Sequence, residues 1–408
     1  MSRLEELIKQ HCPDGVEYVK LGDVVSIARG ASPRPIQNYL TDEEDGIPWI
    51  KIGDVSTNSK YITSTAERIT REGANKSRFL KKGTFILSNS MSFGRPYILG
   101  IDGCIHDGWI SICGFEASLN SDFLYYLLRS SDVQGYWISK ANSGGAVANL
   151  NSDIVRSTPI PVPPLPVQEE IVRILDTFTE LQAELQAELQ KILQQYNYYR
   201  DNLLSFEGRT DVEWKKLGEV ADLLSGFPFD STQFTNAGVR LMRGVNIKRG
   251  QLCFNENDDR YWTSIAGLEK YIVNENDIVI SMDGSLVGKS FGMVKKEHLP
   301  LLLVQRVARV RSSVFNINFI YHCINNWFPN YVDKKKTKGA IPHISMKDIA
   351  NFPIPSPSLE EQGKIAAILD RFETLTNDLS QGLPAEIEAR RKQYEYYRDQ
   401  LLTFKQKA

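Results

Sequence analysis

The stretch of this chain that comes nearest to a ligand-binding motif is Gly284-Ser285-Leu286-Val287-Gly288-Lys289-Ser290, just after the strand-like Ile278-Val279-Ile280. A phosphate-binding loop needs four residues between its glycines, and Asp283 stands where the first glycine belongs. The related run Ser92-Phe93-Gly94-Arg95-Pro96 shows no such pattern, and its proline lacks a donor. The better reading is a turn that presents Arg95 and Lys289 at matched positions. Glu213-Trp214-Lys215 has the ending of a nuclease carboxylate–lysine motif, but no upstream Pro-Asp stands at a workable spacing. His11, His106, His298, His322 and His343 form no His-x-x-x-His or Cys/His pair, which speaks against a metal site. No Asn/Asp-Pro-Pro-Tyr/Phe run is present either, so a methyltransferase active site is missing. The sequence offers no catalytic constellation.

What remains are two clusters of cations and amides in loops. The first holds Arg29, Arg34, Lys51, Lys76, Arg78, Asn89, Arg95, Lys140 and Asn142. The second holds Arg240, Arg243, Asn246, Lys248, Arg249, Lys289, Gln305, Arg306, Lys335, Lys336 and Lys338. Arg and Lys on phosphates position a duplex, and Arg, Asn and Gln read base edges in the major groove. Any one of these residues alone is most simply a solvated charge. As two clusters on equivalent segments, they point to DNA.

The elements that carry the clusters come in duplicate, about 194 to 198 residues apart. Ile160-Pro161-Val162-Pro163-Pro164-Leu165 and Gln168-Glu169-Glu170-Ile171-Val172-Arg173-Ile174-Leu175-Asp176-Thr177-Phe178 return as Ile354-Pro355-Ser356-Pro357-Ser358-Leu359 and Gln362-Gly363-Lys364-Ile365-Ala366-Ala367-Ile368-Leu369-Asp370-Arg371-Phe372. Tyr196-Asn197-Tyr198-Tyr199-Arg200-Asp201 returns as Tyr394-Glu395-Tyr396-Tyr397-Arg398-Asp399. A period this long marks a duplicated domain-sized unit with a built-in pseudo-two-fold, not a solenoid.

Each copy reads as a mixed α/β segment of short strands and polar turns, then a proline-rich extended hinge, then a long helix. Apolar residues at three- and four-residue steps form a coiled-coil seam: Ile171, Ile174, Phe178, Leu185 and Tyr199 in one copy, Ile365, Ile368, Phe372, Leu379 and Tyr397 in the other. Gly382-Leu383-Pro384 predicts a kink or break in the second helix. The boundaries this implies are 1–165 and 209–357 for the globular segments, and 166–208 and 358–408 for the helices. With 408 residues the chain has room for both.

The longest apolar runs are too short to span a bilayer, and Met1-Ser2-Arg3-Leu4-Glu5-Glu6 carries acid where a signal peptide carries base. Five scattered cysteines read as reduced cytosolic thiols. The net charge of −2 does not announce a nucleic-acid binder, but residues 167–194 and 358–380 are acidic, so any basic surface lies outside those helices.

The hinge, the Gln-x-x-Ile-x-x-Ile-Leu-Asp-x-Phe run and the Tyr-x-Tyr-Tyr-Arg-Asp-x-Leu-Leu run, each given twice, resemble the specificity subunit of type I restriction–modification systems. Gly46-Ile47-Pro48-Trp49-Ile50, Ile105-His106-Asp107-Gly108-Trp109 and Val304-Gln305-Arg306-Val307 are similar to phrases of that family. The resemblance implies an α+β protein with two target-recognition domains, each reading half of a bipartite double-stranded DNA site. The two long helices would form an antiparallel coiled coil that docks two modification (M) subunits. Those subunits would bind S-adenosylmethionine and methylate adenine, while restriction (R) subunits would use ATP and Mg. It further implies a bacterial or archaeal cytoplasmic protein on DNA that is no enzyme and holds no cofactor or metal itself. The alternative is a coiled-coil assembly scaffold that never touches DNA.

Overall fold

The computed structural model describes residues 2–55, 59–89, 93–141, 149–337, 341–377 and 382–407. The chain forms two compact units: Met1–Gln186 with Ile387–Ala408, and Ala187–Glu386. In unit 1, α1 (Arg3–His11) and β1 (Tyr18–Lys20) precede α2 (Leu21–Val24), β2 (Ser26–Arg29), β3 (Leu40–Thr41) and β4 (Ile47–Ile50). Next come β5 (Tyr61–Ile62), β6 (Glu67–Ile69), α3 (Arg71–Asn75), β7 (Arg78–Leu80), β8 (Phe85–Ser88), β9 (Pro96–Leu99), β10 (Gly103–Ile105) and β11 (Trp109–Cys113). Three helices, α4 (Ser121–Leu128), α5 (Ser131–Ala141) and α6 (Ser152–Arg156), lead to β12 (Pro159–Pro161) and the 39-residue α7 (Leu165–Leu203).

The strands form two five-stranded sheets, ordered β3-β6-β4-β10-β7 and β2-β11-β8-β9-β5. Alternation along β8 shows how they stack. Ile86 joins Tyr97, Trp109, Ile50 and Ile105 in a core shared by both sheets, whereas Phe85 and Leu87 turn to the helix side with Phe123, Leu124, Ile171 and Leu175. A strand buried on both faces reads as a continuous apolar run rather than an alternating one.

Unit 2 repeats the plan with β13 (Glu213–Lys216), α8 (Leu217–Val220), β14 (Asp222–Ser225), β15 (Val239–Met242), β16 (Tyr261–Trp262), β17 (Ile272–Val273) and β18 (Ile278–Ser281). It continues through β19 (Phe291–Met293), β20 (Leu301–Leu303), β21 (Val307–Arg311), α9 (Ile317–Lys335), α10 (Met346–Ala350), β22 (Pro353–Ser356) and α11 (Leu359–Asn377). Last comes α12 (Leu383–Leu402), with Leu383 and Pro384 in its first turn, where proline's missing donor costs nothing. The sheets run β14-β21-β18-β19 and β16-β15-β20-β17. Each unit has a parallel pair at equivalent places, β4 with β10 and β15 with β20, and unit 1 has a second, β5 with β9.

The proline hinges are edge strands. Tyr18, Val19 and Lys20 pair with Pro161, Ile160 and Pro159, and Glu213 to Lys216 pair with Ser356 to Pro353, both antiparallel. A buried glutamine locks each hinge to its helix. Gln168 accepts from the Asn120 amide at 2.8 Å and donates to Pro163 O at 2.7 Å and Ser118 O at 2.9 Å. Gln362 accepts from the Asn316 amide at 3.0 Å and donates to Pro357 O at 2.9 Å. Asn120 and Asn316 are the N-caps of α4 and α9, so one side chain ties hinge, long helix and neighbouring helix start.

The repeated helices form an antiparallel coiled coil, and each is divided between the units. α7 belongs to unit 1 up to Gln186 and to unit 2 from Ala187. In unit 1 Phe178 stacks on Tyr397 at 5.6 Å, and in unit 2 Tyr199 stacks on Phe372 at 5.6 Å. Along α7 from Phe178 to Tyr199 the partner moves back from Tyr397 to Phe372, so the pairing is antiparallel. Of the other seam residues, Ile171 and Ile365 are buried in the unit cores, Ile174 packs against the core of unit 1, and Leu185 is half-buried. Ile368 is exposed. Leu379 lies outside the described residues.

Candidate nucleic-acid interface

In each unit a rim forms where the parallel strands end. After β4, Lys51 opens a tight turn whose Asp54 carboxylate accepts the Lys51 amide at 2.7 Å. After β15, Arg243 opens the same turn, with Asn246 accepting the Arg243 amide at 3.2 Å. The loops after β10 and β20 lie beside these turns. A Cβ on Gly30 would stand 2.0 Å from His106 O, and one on Gly226 2.2 Å from Val304 O, so glycine lets β2 and β14 close on the loop.

In unit 1 the rim is organised by Asp107. Its carboxylate accepts from Ser32 Oγ at 2.9 Å and from the Arg34 guanidinium at 3.3 Å. Its carbonyl accepts from Arg29 Nε at 3.0 Å and Asn89 Nδ2 at 3.1 Å. The hydrogen bond from Ser32 holds the carboxyl below its usual range. Beside it, the Ile52 and Gly108 amides point at the two ring nitrogens of His106, at 3.3 and 2.6 Å. Protonation would set ring N–H groups against both, and burial holds the His106 pKa below its ordinary value.

In unit 2 the rim is organised by Asp283. The Asn89 amide donates to Gly108 O and the Met282 amide to Arg306 O, which equates Gly108 with Arg306. Arg306 has φ +65°, a left-handed backbone rare outside glycine. Its guanidinium pairs with Asp283 Oδ2 at 2.7 Å, and Asp283 also contacts His343 Nδ1. Asp283 and Arg306, together with Val245, Lys248, Ser285 and the exposed Ile341, line a groove of about 470 Å³. Each rim therefore offers one arginine pinned to one aspartate, Arg34 to Asp107 and Arg306 to Asp283, with guanidinium side chains 83% and 66% exposed.

The other cations divide by what holds them. Lys51 pairs with Glu67 at 2.5 Å, Lys336 with Asp333 at 2.6 Å, and Lys76 with Glu72 at 2.8 Å, which lifts the Lys76 pKa to about 12. Arg78 Nε donates to Arg29 O at 2.6 Å, and Arg243 donates to Asp258 O at 3.0 Å. Lys140 lies over the Tyr136 ring, and Lys335 is exposed on the last turn of α9. Arg240 is half-buried between Asp259 and the Phe254 ring, and Asn246 is fully buried on Asp259 and Cys253 O, so both serve the fold. Asn89 is buried as well. Arg249 and Lys289 meet, but in a separate cavity of about 310 Å³ with Gln251, Tyr321 and Glu373. Gln305 is exposed beside Arg306, and Arg95 is half-exposed. Asn142 and Lys338 lie outside the described residues.

Two readings change. Arg95 and Lys289 do not occupy matched positions: Ser88 N–H donates to Arg95 O and Ser281 N–H to Ser290 O, so strand register equates Arg95 with Ser290. Four amides of the Gly284–Ser290 run are already engaged: Gly284 donates to Pro342 O, Val287 to Gly284 O, and Lys289 and Ser290 to Leu286 O. They form no phosphate cradle. Ser32, Asp107, Asp283 and His343 were missed as rim residues, although the Ile105–Trp109 phrase contains Asp107.

A duplicated double-sheet unit, with a pinned arginine on each rim and long helices shared between the copies, is a chain with two equivalent surfaces. A family model described as the type I restriction modification DNA specificity domain matches the chain twice, over residues 13–195 and 210–389. The chain is 38% identical over 303 residues to the EcoR124I/EcoR124II specificity subunit of Escherichia coli, covering 69% of this chain and 70% of that protein. It is 27% identical over 401 residues to the EcoprrI specificity subunit of Escherichia coli, covering 93% of each. Its fold is similar to the HsdS subunit from Thermoanaerobacter tengcongensis, with TM-score 0.52, 17% identity and 96% of both chains covered. A chain from a structure on assembly and conformational transition of the type I R-M system gives TM-score 0.64 at 18% identity, covering 96% of this chain and 98% of that one. The chain belongs to the type I restriction–modification DNA specificity family. It is a specificity subunit, the DNA-recognition component of such a system, and not itself an enzyme.

Proposed function

We propose that each unit reads one half of an interrupted double-stranded DNA target through its rim, with residues 1–165 and 209–357 as the reading segments. The observation that carries this is the pinned arginine of each rim. An aspartate that holds a guanidinium extended removes part of the ordering cost of binding, and DNA then replaces the aspartate as its partner. Lys248 beside Arg306, and Arg29 and Arg78 beside Arg34, supply phosphate contacts.

The helical segments 166–208 and 358–408 set the gap between the half-sites and carry two M subunits. Support for docking comes from apolar side chains that the fold leaves outside: Tyr198 and Tyr396, equivalent in the repeat, are 66% and 62% exposed. S-adenosylmethionine chemistry on adenine belongs to those partners, and ATP-driven restriction to R subunits. Among the described residues no helix is long and apolar enough to cross a membrane, which fits a protein working in the cytoplasm on DNA. Sequencing methylated adenines in cells carrying this chain with its M subunit tests the reading. An interrupted motif with one methylated adenine in each half is expected, and a continuous motif contradicts it. A scaffold that never touches DNA would give no methylation pattern dependent on this chain and no salt-dependent DNA affinity.

A further inference from the structure

His322 on α9 is buried against α11 in unit 2, 1% exposed. Its Nε2 is 2.7 Å from Asp370 Oδ1, and its Nδ1 has no hydrogen-bond partner among the described residues. A carboxylate only accepts, so without a cation Nε2 carries the imidazole proton toward Asp370, and a bound cation would take that proton's place between the two, with the proton moved to Nδ1. One turn beyond Asp370, Glu373 completes a set of three ligand atoms within 4.8 Å of one another. No cation stands within ion-pairing distance of Glu373 among the described residues, and its hydrogen-bond partner is the Tyr321 hydroxyl at 3.2 Å. Burial holds the Glu373 carboxyl above its usual pKa.

Unit 1 shows what this place looks like without those ligands. Counting from the paired Asn120/Asn316 and Gln168/Gln362, the equivalents of His322, Asp370 and Glu373 are Tyr126, Asp176 and Thr179. There the Tyr126 hydroxyl donates to Asp176 at 2.5 Å and lies 3.4 Å from Thr179, a closed set with one charge. Unit 2 keeps the aspartate and changes both neighbours to metal-ligand types.

We propose that His322, Asp370 and Glu373 form a divalent-cation site of the Zn²⁺ kind that pins α9 to α11. One imidazole with two carboxylates suits Zn²⁺ better than Ca²⁺ or Mg²⁺, which favour all-oxygen shells. The cavity of about 310 Å³ lined by Tyr321 and Glu373 gives the ion a way in and room for a water as fourth ligand. Asn318, which donates to Asp370 Oδ2 at 2.7 Å, and Tyr321 orient the carboxylates from outside. The histidine spacing shows none of this, because the carboxylates come from another helix, 48 residues on in the case of Asp370.

The test is metal content of the full-length chain after dialysis against micromolar Zn²⁺, with melting followed in parallel. Wild type should hold about one ion per chain and melt higher with Zn²⁺. The double variant His322→Tyr, Glu373→Thr installs the Tyr–Asp–Thr set of unit 1, and it should hold none and show no shift. Glu373→Gln keeps the shape of the site and should bind at least about tenfold more weakly. Wild type without bound Zn²⁺, or equal binding by wild type and either variant, overturns the site.

Discussion

Units 1 and 2 share the order of four strands in each sheet, with β3 and β5 added at the edges in unit 1, and each has a glutamine lock, yet they build their rims from different residues. In unit 1 the aspartate comes from the loop before β11 and the arginine from the loop after β2, Asp107 with Arg34. In unit 2 the arginine comes from the loop before β21 and the aspartate from the end of β18, Arg306 with Asp283. The scaffold is held constant by buried bonds and the reading surface is rebuilt above it. On the proposed reading, two unlike half-sites call for that division, with the fold tolerating change at the rim.

The largest contrast to break is the lock. Gln168→Leu leaves the Asn120 amide and the Ser118 and Pro163 carbonyls without their side-chain partner, at a cost of about 3 to 5 kcal/mol to unit 1. Gln362→Leu leaves the Asn316 amide and the Pro357 carbonyl of unit 2 without theirs and should cost less, about 2 to 4 kcal/mol. Hydrogen exchange resolved by unit would measure both, and a loss under about 1 kcal/mol in either would show that the lock is ornamental.

Next come the rims. Arg306→Ala should relax recognition of one half-site by about 1 to 3 kcal/mol and leave the other untouched, and Arg34→Ala should do the reverse. Equal loss at both halves from either change would mean that the arginines contribute charge and not reading.

The smallest effect concerns pH. Burial lowers the pKa of both His106 and His298, so the unfolded chain takes up protons that the folded chain resists. Stability should therefore fall as pH drops through about 6.5, by no more than about 1.4 kcal/mol per pH unit for each group. His106→Gln should flatten this slope for the β4 and β11 amides of unit 1 in hydrogen exchange and leave that due to His298 in unit 2. An unchanged slope in unit 1 would place its acid sensitivity elsewhere.

Much of the scaffold was legible in the sequence because the repeated residues make repeated contacts. Gln168 and Gln362, Asp176 and Asp370, and Phe178 and Phe372 do matching work in both units. Identical sequence did not always mean identical use, however. Asp399 accepts from the Ser131 amide at 3.1 Å and so caps α5, whereas α9 runs unbroken through the equivalent place and Asp201 stays on the surface beside Arg200. The rims were legible only as clusters of charge. Arg240 and Asn246 look like readers in the sequence, but Asp259 claims both, and such pairings depend on residues brought together by the fold. Nor could periodicity reveal that each long helix is shared between two compact units.

The central claim is that the shared helices set a gap between two independent readers. Leu181-Gln182-Ala183-Glu184-Leu185-Gln186-Ala187-Glu188-Leu189 is a tandem four-residue repeat, and it straddles the point where α7 passes from unit 1 to unit 2. One added Leu-Gln-Ala-Glu lengthens the helix by roughly 6 Å while turning the seam by about 40°. At about 3.4 Å per base pair that is a step of one to two pairs. Mapping methylated adenines for the wild-type and lengthened chains should show both half-sites unchanged and the gap between them longer by that step. Altered half-site bases, or an unaltered gap, would contradict it.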